Sequence, residues 1–505
     1  MSGAQACDVL VVGLGPVGAT LAALLGERGV EVMAIDRSEQ VYPLPRAVHF
    51  DHEVMRVFQE LGLATAVLDH ARPAPTYEFR NADGEVLLRF DAVAGRLASS
   101  GWTSGYMFNQ PGLERALRAK LAASPKVSVR LGAAFEGLAL TRGGAEVAVR
   151  DPDGPTTVRA RYVVGCDGAS SLVREAMGAE LDDLDFDEPW LVVDVIARPG
   201  ARLPALNLQI CDPARPTTCV QAGPGRHRWE IMLSPGERNE DVLDDAFIRS
   251  QIGTWDVDVE IERKAVYRFH GLVARRWRKG PVFLAGDAAH QTPPFAGQGM
   301  CAGIRDAANL AWKLAAVVRN EASDTLLESY QKEREPNARA FITLAMNMGR
   351  IVCTTDPVRA RQRDAQMLAT RRAGLAGIPP ADPPPHGGPC ILAGAPGAGA
   401  LFPQPVARTR KGVLRLDDHL GPHGWLLGGD PGAQGAAGLE AVPLDDPRLR
   451  PFQNEIKAWL TAHGVAAVLV RPDRIVFGTG TPGDLLAAWA SALGEGPGAS
   501  QAGRP

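Results

Sequence analysis

Gly13-x-Gly15-x-x-Gly18 stands directly after the apolar run Val9-Leu10-Val11-Val12. A short continuous apolar run bounded by glycine is the pattern of a strand buried on both faces. Ala19 to Arg28 consists mostly of helix formers, Gly29 can end that helix, and Val30 to Ile35 reads as a second strand. The stretch is therefore a βαβ unit with parallel strands. Gly13 permits the tight turn, Gly15 lets a pyrophosphate approach the backbone, and Gly18 lets the helix pack close to the sheet. Phosphates then sit at a helix N-terminus, where free N–H groups and the macrodipole favour anions. Asp36 follows the second strand and can accept hydrogen bonds from ribose hydroxyls. The motif specifies a dinucleotide without separating FAD from NAD.

Two further motifs lie downstream. Tyr162-Val163-Val164-Gly165-Cys166-Asp167-Gly168, followed by Arg174, is a strand ending in Asp-Gly, after which Ala169-Ser170-Ser171 caps a helix. Alone it reads equally as an ordinary strand–turn–helix corner. Gly286-Asp287-Ala288-Ala289-His290, Pro293-Pro294, Gly297-Gln298-Gly299-Met300 and Asp306 to Leu314 form one continuous run. Here a buried strand, Val282 to Ala285, ends at an Asp placed to hold a ribityl or ribose hydroxyl. A proline-stiffened loop then leads to a glycine-rich helix start, which offers backbone N–H groups to a ring that gains negative charge on reduction. His290 reads as a structural histidine bonded to backbone rather than as a general base.

The 505 residues suffice for two or three domains, and 45% hydrophobic content supports a large core. With 54 basic against 58 acidic residues, the formal charge of −4 gives no footprint for nucleic acid or an anionic membrane. Arg275-Arg276-Trp277-Arg278-Lys279 is too short to alter that and reads as a solvated approach to a strand. Seven scattered cysteines without C-x-x-C argue against a disulfide scaffold, a zinc ribbon or a thiol redox centre, and the scattered His and Cys offer no metal site. A reducing cytoplasm fits best. The chain shows neither a signal peptide nor an apolar stretch long enough to span a membrane.

The expected fold is α/β. A Rossmann-like dinucleotide domain (1–180 and 276–377) is interleaved with a mostly antiparallel β-sheet substrate domain (181–275). Residues 190–270 alternate apolar and polar, as in Trp190-Leu191-Val192-Val193-Asp194-Val195. Residues 110–123, 299–319 and 324–350 read as helices. Residues 378–400 are Pro/Gly/Ala-rich and read as a linker, 401–495 as a small C-terminal α/β domain, and 496–505 as a disordered tail.

In this order the three motifs resemble the para-hydroxybenzoate hydroxylase fold group of flavoprotein monooxygenases. The likeness is stronger still to the 3-(3-hydroxyphenyl)propionate hydroxylase type. Pro45-Arg46-Ala47, Glu53 with Arg56, Cys211-Asp212-Pro213 with Arg215-Pro216, Pro235-Gly236-Glu237 and Ala285 to Leu314 carry it over residues 8–350, with a fainter match at Arg471-Pro472-Asp473-Arg474. The resemblance implies FAD held by Gly13, Gly15, Gly18, Asp36 with Arg37, Arg46, Gln110, Asp167, Gly168, Asp287, Pro294, Gly297, Gly299 and Met300. NADH or NADPH serves as co-substrate. The resemblance also implies that Pro294 stands beside the oxygen-reactive carbon of the flavin, and the C-terminal domain is similar to the thioredoxin-like tail of these hydroxylases but lacks a Cys pair. No FAD motif lies beyond the linker, so residues 401–505 are expected to be dispensable for flavin binding.

The implied activity is hydroxylation of a phenolic ring, ortho to an existing hydroxyl, with NAD(P)H and O₂. The partners are a small aromatic substrate and O₂, with a homodimer left open. His49 is the candidate for touching substrate or polarising the phenol, and Trp190, Trp229 and Met232 are candidates for the pocket wall. Epoxidation or Baeyer–Villiger-type insertion on the same fold, a dehydrogenase, or an FAD-binding protein without oxygen chemistry are the alternatives.

Overall fold

The first glycine motif is read correctly at the level of the sheet. In a computed structural model describing residues 5–43, 46–92, 96–375, 384–410, 412–429 and 438–494, Gln5–Val12 and Val32–Asp36 are adjacent parallel strands joined by the helix Pro16–Glu27. Gly154–Gly165 flanks the first strand, Val282–Leu284 lies beyond it, and Val127–Leu131 lies beyond Val32–Asp36; every one of these pairings is parallel. Toward their carboxyl ends the central strands, Val9–Val12, Val32–Ile35, Tyr162–Gly165 and Val282–Leu284, are apolar and buried, as a sheet covered on both faces requires. Register then does the important work. Leu284 stands opposite Gly165, Gly165 opposite Val12, and Val12 opposite Ile35. Three segments far apart in sequence therefore leave the sheet along one line, at the carboxyl ends where open α/β sheets bind ligands.

The second large sheet runs Leu181–Ala197, Asn207–Cys211, Thr217–Gln221, Arg226–Met232 and Val259–Ala274, with antiparallel pairing among the long strands. It also recruits Tyr77–Asn81 and Val86–Phe90, which belong by sequence to the first dinucleotide segment. Tyr77–Asn81 joins Asn207–Cys211 in parallel, so the two units are interwoven more deeply than a boundary at 180 conveys. The sheet's two faces are chemically distinct. Leu191, Val193, Trp229, Ile231 and Leu233 form a separate apolar core with the helix Asp245–Ile252, whereas Trp190 and Met232 belong to the main core.

The expected helix at 324–350 is a 3₁₀ turn, Asp324–Glu328, followed by Ser329–Val352, and a further helix, Pro357–Arg372, packs on Val86–Phe90. Residues 384–400 form turns, yet they are tied down: Leu392 N–H donates to Phe477 O (2.7 Å) and Gly399 N–H to Val476 O (2.8 Å). The C-terminal sheet runs Leu439–Val442, Gly424–Leu427, Ala467–Val470, Val476–Gly480, with only the first pair parallel. That is the order of a thioredoxin-like sheet, with Gln453–His463 and Pro482–Leu493 as its helices. Pro45, the linker residues 378–383 and the tail 496–505 lie outside the described residues. No described helix is long and apolar enough to cross a membrane.

Candidate active site

The three strand ends build one groove. At the first, Gly13 has φ +97°, and a Cβ there would stand 2.5 Å from Cys166 O. A Cβ at Gly18 would overlap the Gly13 carbonyl, whereas around Gly15 no protein atom lies within 4 Å of where a Cβ would be. The backbone is thus packed tight on either side of one open position at an uncapped helix N-terminus. Asp36 accepts from Leu14 N–H (2.7 Å) and Ser38 N–H (2.8 Å), which fixes its carboxylate beside the turn. Arg37 is exposed next to it.

At the second strand end, Asp167 accepts from Ser171 Oγ (2.5 Å) and Val173 N–H (3.2 Å), capping the helix Leu172–Met177, while Gly168 opens away with φ +82°. Buried Arg174 donates to Ala169 O (2.7 Å) and Ala288 O (3.1 Å), joining the second corner to the third. At the third, Asp287 is exposed on the groove. Surrounding protein nonetheless desolvates it enough to raise its pKa, against the lowering influence of His290 and Arg46. The exposure identifies it as a group available to a ligand; the crowding shows that it lies deep. Pro294–Ala296 is a 3₁₀ turn ending in Gly297 at φ +62°, and the helix Gly299–Val318 starts there with no side-chain cap, leaving the first-turn N–H groups of Gly299 and Met300 without intrahelical partners.

Arg46 holds its guanidinium 4.9 Å from the Tyr42 ring, and its charge is felt at Asp287. Its segment is held from below by buried Gln110, whose Oε1 accepts from Arg46 N–H (3.1 Å) and Ala47 N–H (2.6 Å). It is held from the side by Arg228, which donates to Arg46 O (2.6 Å). His49 sits slotted between Gly105 and Gly297, where added Cβ atoms would meet its ring at 2.6 and 2.9 Å. Burial lowers its pKa, and its Nδ1 lies 3.2 Å from Gly297 O, so the neutral ring donates that N–H to the carbonyl of the 294–297 turn.

His290 is fully buried, as a structural histidine should be. Its partner, however, is a carboxylate rather than backbone: Nε2 lies 2.7 Å from Asp306 Oδ2, and Asp306 also accepts from Arg334 Nε (2.8 Å). Trp190 is buried and packs edge-on to Phe295 of the groove loop at 5.5 Å and flat on Phe269 at 6.0 Å. Met232 stands opposite Trp190 on the neighbouring strand. Trp229 does not line this space. Strand alternation turns it to the other face, where it meets Trp255 at 5.9 Å within the outer core. The same alternation brings in residues that sequence reasoning passed over, Arg228 and Glu230, together with Thr218, Gln209 and Tyr77 from the next three strands of the sheet in turn. Period-two counting from Met232 was the available signal.

A family described as an FAD binding domain matches residues 6–345. The chain belongs to this FAD-binding family. Its C-terminal part matches a second family, described as an HcaD C-terminal domain, over residues 432–495. Among relatives of the FAD-binding chain, a probable NADH-specific resorcinol 4-hydroxylase of Rhodococcus jostii (strain RHA1) is 38% identical, covering 97% of this chain and 95% of that protein. A 3-(3-hydroxy-phenyl)propionate/3-hydroxycinnamic acid hydroxylase of Mycobacterium sp. (strain KMS) is 37% identical, covering 93% and 88%. The flavin-dependent monooxygenase PieE, solved with FAD and substrate, has the same fold, with a TM-score of 0.81 at 24% identity over 97% of this chain and 99% of that one. Aklavinone-11 hydroxylase, solved with FAD and aklavinone, gives 0.78 at 24% over 98% and 100%. The fold is that of FAD-dependent hydroxylases, with FAD as cofactor.

Proposed function

We propose that this FAD-binding protein hydroxylates a phenolic ring beside an existing hydroxyl. Two electrons come from NADH; one atom of O₂ enters the ring and the other leaves as water with the proton from solution. The observation that carries this reading is the register of Leu284, Gly165, Val12 and Ile35. It brings three cofactor motifs to one groove facing the inner side of the large sheet. The names of the two relatives support a phenolic acceptor, and the first supports NADH over NADPH.

Gly13, Gly15 and Gly18 would pass the FAD pyrophosphate, with Asp36 and Arg37 at the adenosine end, Arg46 across the phosphates and Gln110 fixing the Arg46 segment. Asp167, Gly168 and Asp287 would face the ribityl side, and Pro294, Gly297, Gly299 and Met300 the ring. The open position at Gly15 and the exposed carboxylate of Asp287 fit such a ligand. When bound, FAD supplies the two-electron and oxygen chemistry. The chain supplies orientation and dryness: Trp190, Phe269 and Phe295 form an aromatic wall beside the 294–297 turn. His49 is a positioning residue, because its bonded nitrogen is spent on the Gly297 carbonyl that shapes this turn. We infer a cytoplasmic enzyme, in keeping with seven free cysteines, and a homodimer as the assembly to be checked by sedimentation.

Phenols and their methyl ethers, offered to the protein with NADH, test the reading through O₂ uptake and product mass. Phenols should stimulate NADH oxidation and gain one oxygen. The ethers should give NADH consumption with H₂O₂ and no oxygenated ring, because the hydroxyl that enriches the ortho carbon is blocked. If no phenol stimulates NADH oxidation, the reading is wrong.

A further inference from the structure

The groove-facing side of the large sheet carries a carboxylate with no hydrogen-bond partner among the described residues. Glu230 is only 6% exposed, and its nearest ionic neighbour, Arg228, is 3.8 Å away. Its place is fixed from both sides. Arg228, two residues before it on the same face, reaches the Arg46 segment. Met232, two residues after it, stands opposite Trp190, which touches Phe295 of the 294–297 loop. Glu230 therefore lies between the two segments that bracket the flavin groove.

We propose that Glu230 receives a phenolic hydroxyl of the substrate, and that its charge selects uncharged phenols over phenols that carry a carboxylate. The inference rests on the hydroxylase reading above.

The neighbours of Glu230 are already committed elsewhere. Arg228 gives Nε and one terminal nitrogen to Asp194 (2.7 and 3.1 Å), and Arg263 approaches the same carboxylate at 3.3 Å. Thr218 donates to Gln209 Oε1 (2.6 Å), and Gln209 Nε2 donates to the Tyr77 hydroxyl. A buried carboxylate left without a donor is costly, so one retained here is explained if a ligand brings the donor. A neutral hydroxyl does this without changing the local charge, in which Arg228 and Arg263 balance Asp194 and Glu230. A substrate carboxylate would be a third anion against two arginines, and Glu230 would have to take up a proton. Burial makes that uptake accessible. It raises the Glu230 pKa to about 7, against the pull of Arg228 and Arg263 and with the push of Asp194; Tyr77, three strands along the same sheet, is kept a neutral phenol by its own burial.

The test uses the protein with its FAD, titrated with resorcinol and with 3-(3-hydroxyphenyl)propionate while the flavin absorbance is followed. The unaltered protein should bind resorcinol the more tightly. Glu230→Gln should weaken resorcinol binding by about 10- to 150-fold, the range for a lost charge-assisted hydrogen bond, and leave the carboxylate ligand unweakened or improved. In weak buffer at about pH 8, any binding of the carboxylate ligand by the unaltered protein should draw a proton from solution, because an ionised Glu230 must be neutralised. Equal affinity for the two ligands without proton uptake, a result that needs no variant to fold, overturns the inference. So does an unchanged preference in Glu230→Gln; in that case stimulated NADH oxidation by phenols would still stand. If neither ligand binds and no phenol stimulates NADH oxidation, both readings fall.

Discussion

A glycine can be required for the contact it permits or for the space it leaves, and Gly18 and Gly15 separate the two cases. A side chain at Gly18 would strike the Gly13 carbonyl, so Gly18→Val should damage folding whether or not FAD is supplied. A side chain at Gly15 meets no protein, so Gly15→Val should leave the apoprotein's urea midpoint close to that of the unaltered chain and abolish the stabilisation that added FAD confers. Equal loss of apoprotein stability in both variants would contradict this division. Asp287 makes no hydrogen bond within the described protein and is exposed on the groove, so its carboxylate is free for ligand. Asp287→Ala should lower FAD affinity by roughly 10- to 150-fold, corresponding to about 1.5–3 kcal/mol for a charge-assisted hydrogen bond, as read by titrating apoprotein with FAD. Unaltered FAD affinity would remove Asp287 from the site. The turns and strand ends that carry these positions were legible, because glycines at a tight turn and an acid at the end of an apolar run are local signals. Trp229 was misplaced for an equally local reason: size favoured it as a pocket wall, while alternation from Met232 turns it outward and turns Glu230 inward.

At the scale of elements, the helix Gly299–Val318 does two things at once. Its first turn faces the groove, and its later turns carry polar side chains into the interior: Asp306 to His290 and Arg334, Asn309 to Glu333 and Asp473, and Lys313 to Glu333. Burial pushes the Asp306 carboxyl up, but His290 and Arg334 outweigh it and hold the pKa at about 2. A carboxyl whose folded pKa lies below its ordinary value of about 3.9 stabilises the fold at neutral pH, and that stability is lost as pH falls through about 4 towards 2. Asp306→Asn should therefore be less stable near pH 7 and show a flatter acid limb over that window in urea melts; an unchanged acid limb would exclude the ion pair as its source. Arg471 closes the network from the C-terminal domain, 2.9 Å from Glu333 and also paired with Asp473, all three buried. Arg471→Met should cost about 3–5 kcal/mol by stranding buried carboxylates, and adding Glu333→Gln should recover part of it. Strictly additive losses would show that the pair is not coupled. The start of this helix was legible from its glycines, but its interior was not. Asn309 and Lys313 on a helix read as a wet face unless their partners, which lie far away in sequence, are known.

For the whole molecule the same contacts decide what the C-terminal domain is for. Its lack of a Cys pair and of any flavin motif leads to the expectation that removing residues 401–505 leaves flavin binding largely intact, with any damage appearing as lower solubility or altered assembly. The docked structure argues otherwise. Arg56 reaches across to Asp417 (2.7 Å) and to Phe402 O (2.6 Å), and Arg474 meets the same Asp417 at 3.0 Å. Trp489 stacks on Trp312 of the Gly299–Val318 helix at 5.6 Å, and Ser323 N–H donates to Leu493 O (2.9 Å). Removing the domain would leave Arg56 and Glu333 without their cross-domain partners and would open the apolar surface around Trp312 to water. The damage should travel along Gly299–Val318, because the turns that lose support are continuous with the first turn, which is proposed to face the flavin. A chain ending at residue 400 should therefore yield little soluble protein. What is soluble should show a lower melting temperature and a lower ratio of flavin to protein absorbance than the full chain, with both partly restored by excess FAD through mass action. Full flavin content and an unchanged melting temperature in the shortened chain would show that the two parts fold independently, and that the buried ions at their junction contribute nothing to holding the Gly299–Val318 helix in place.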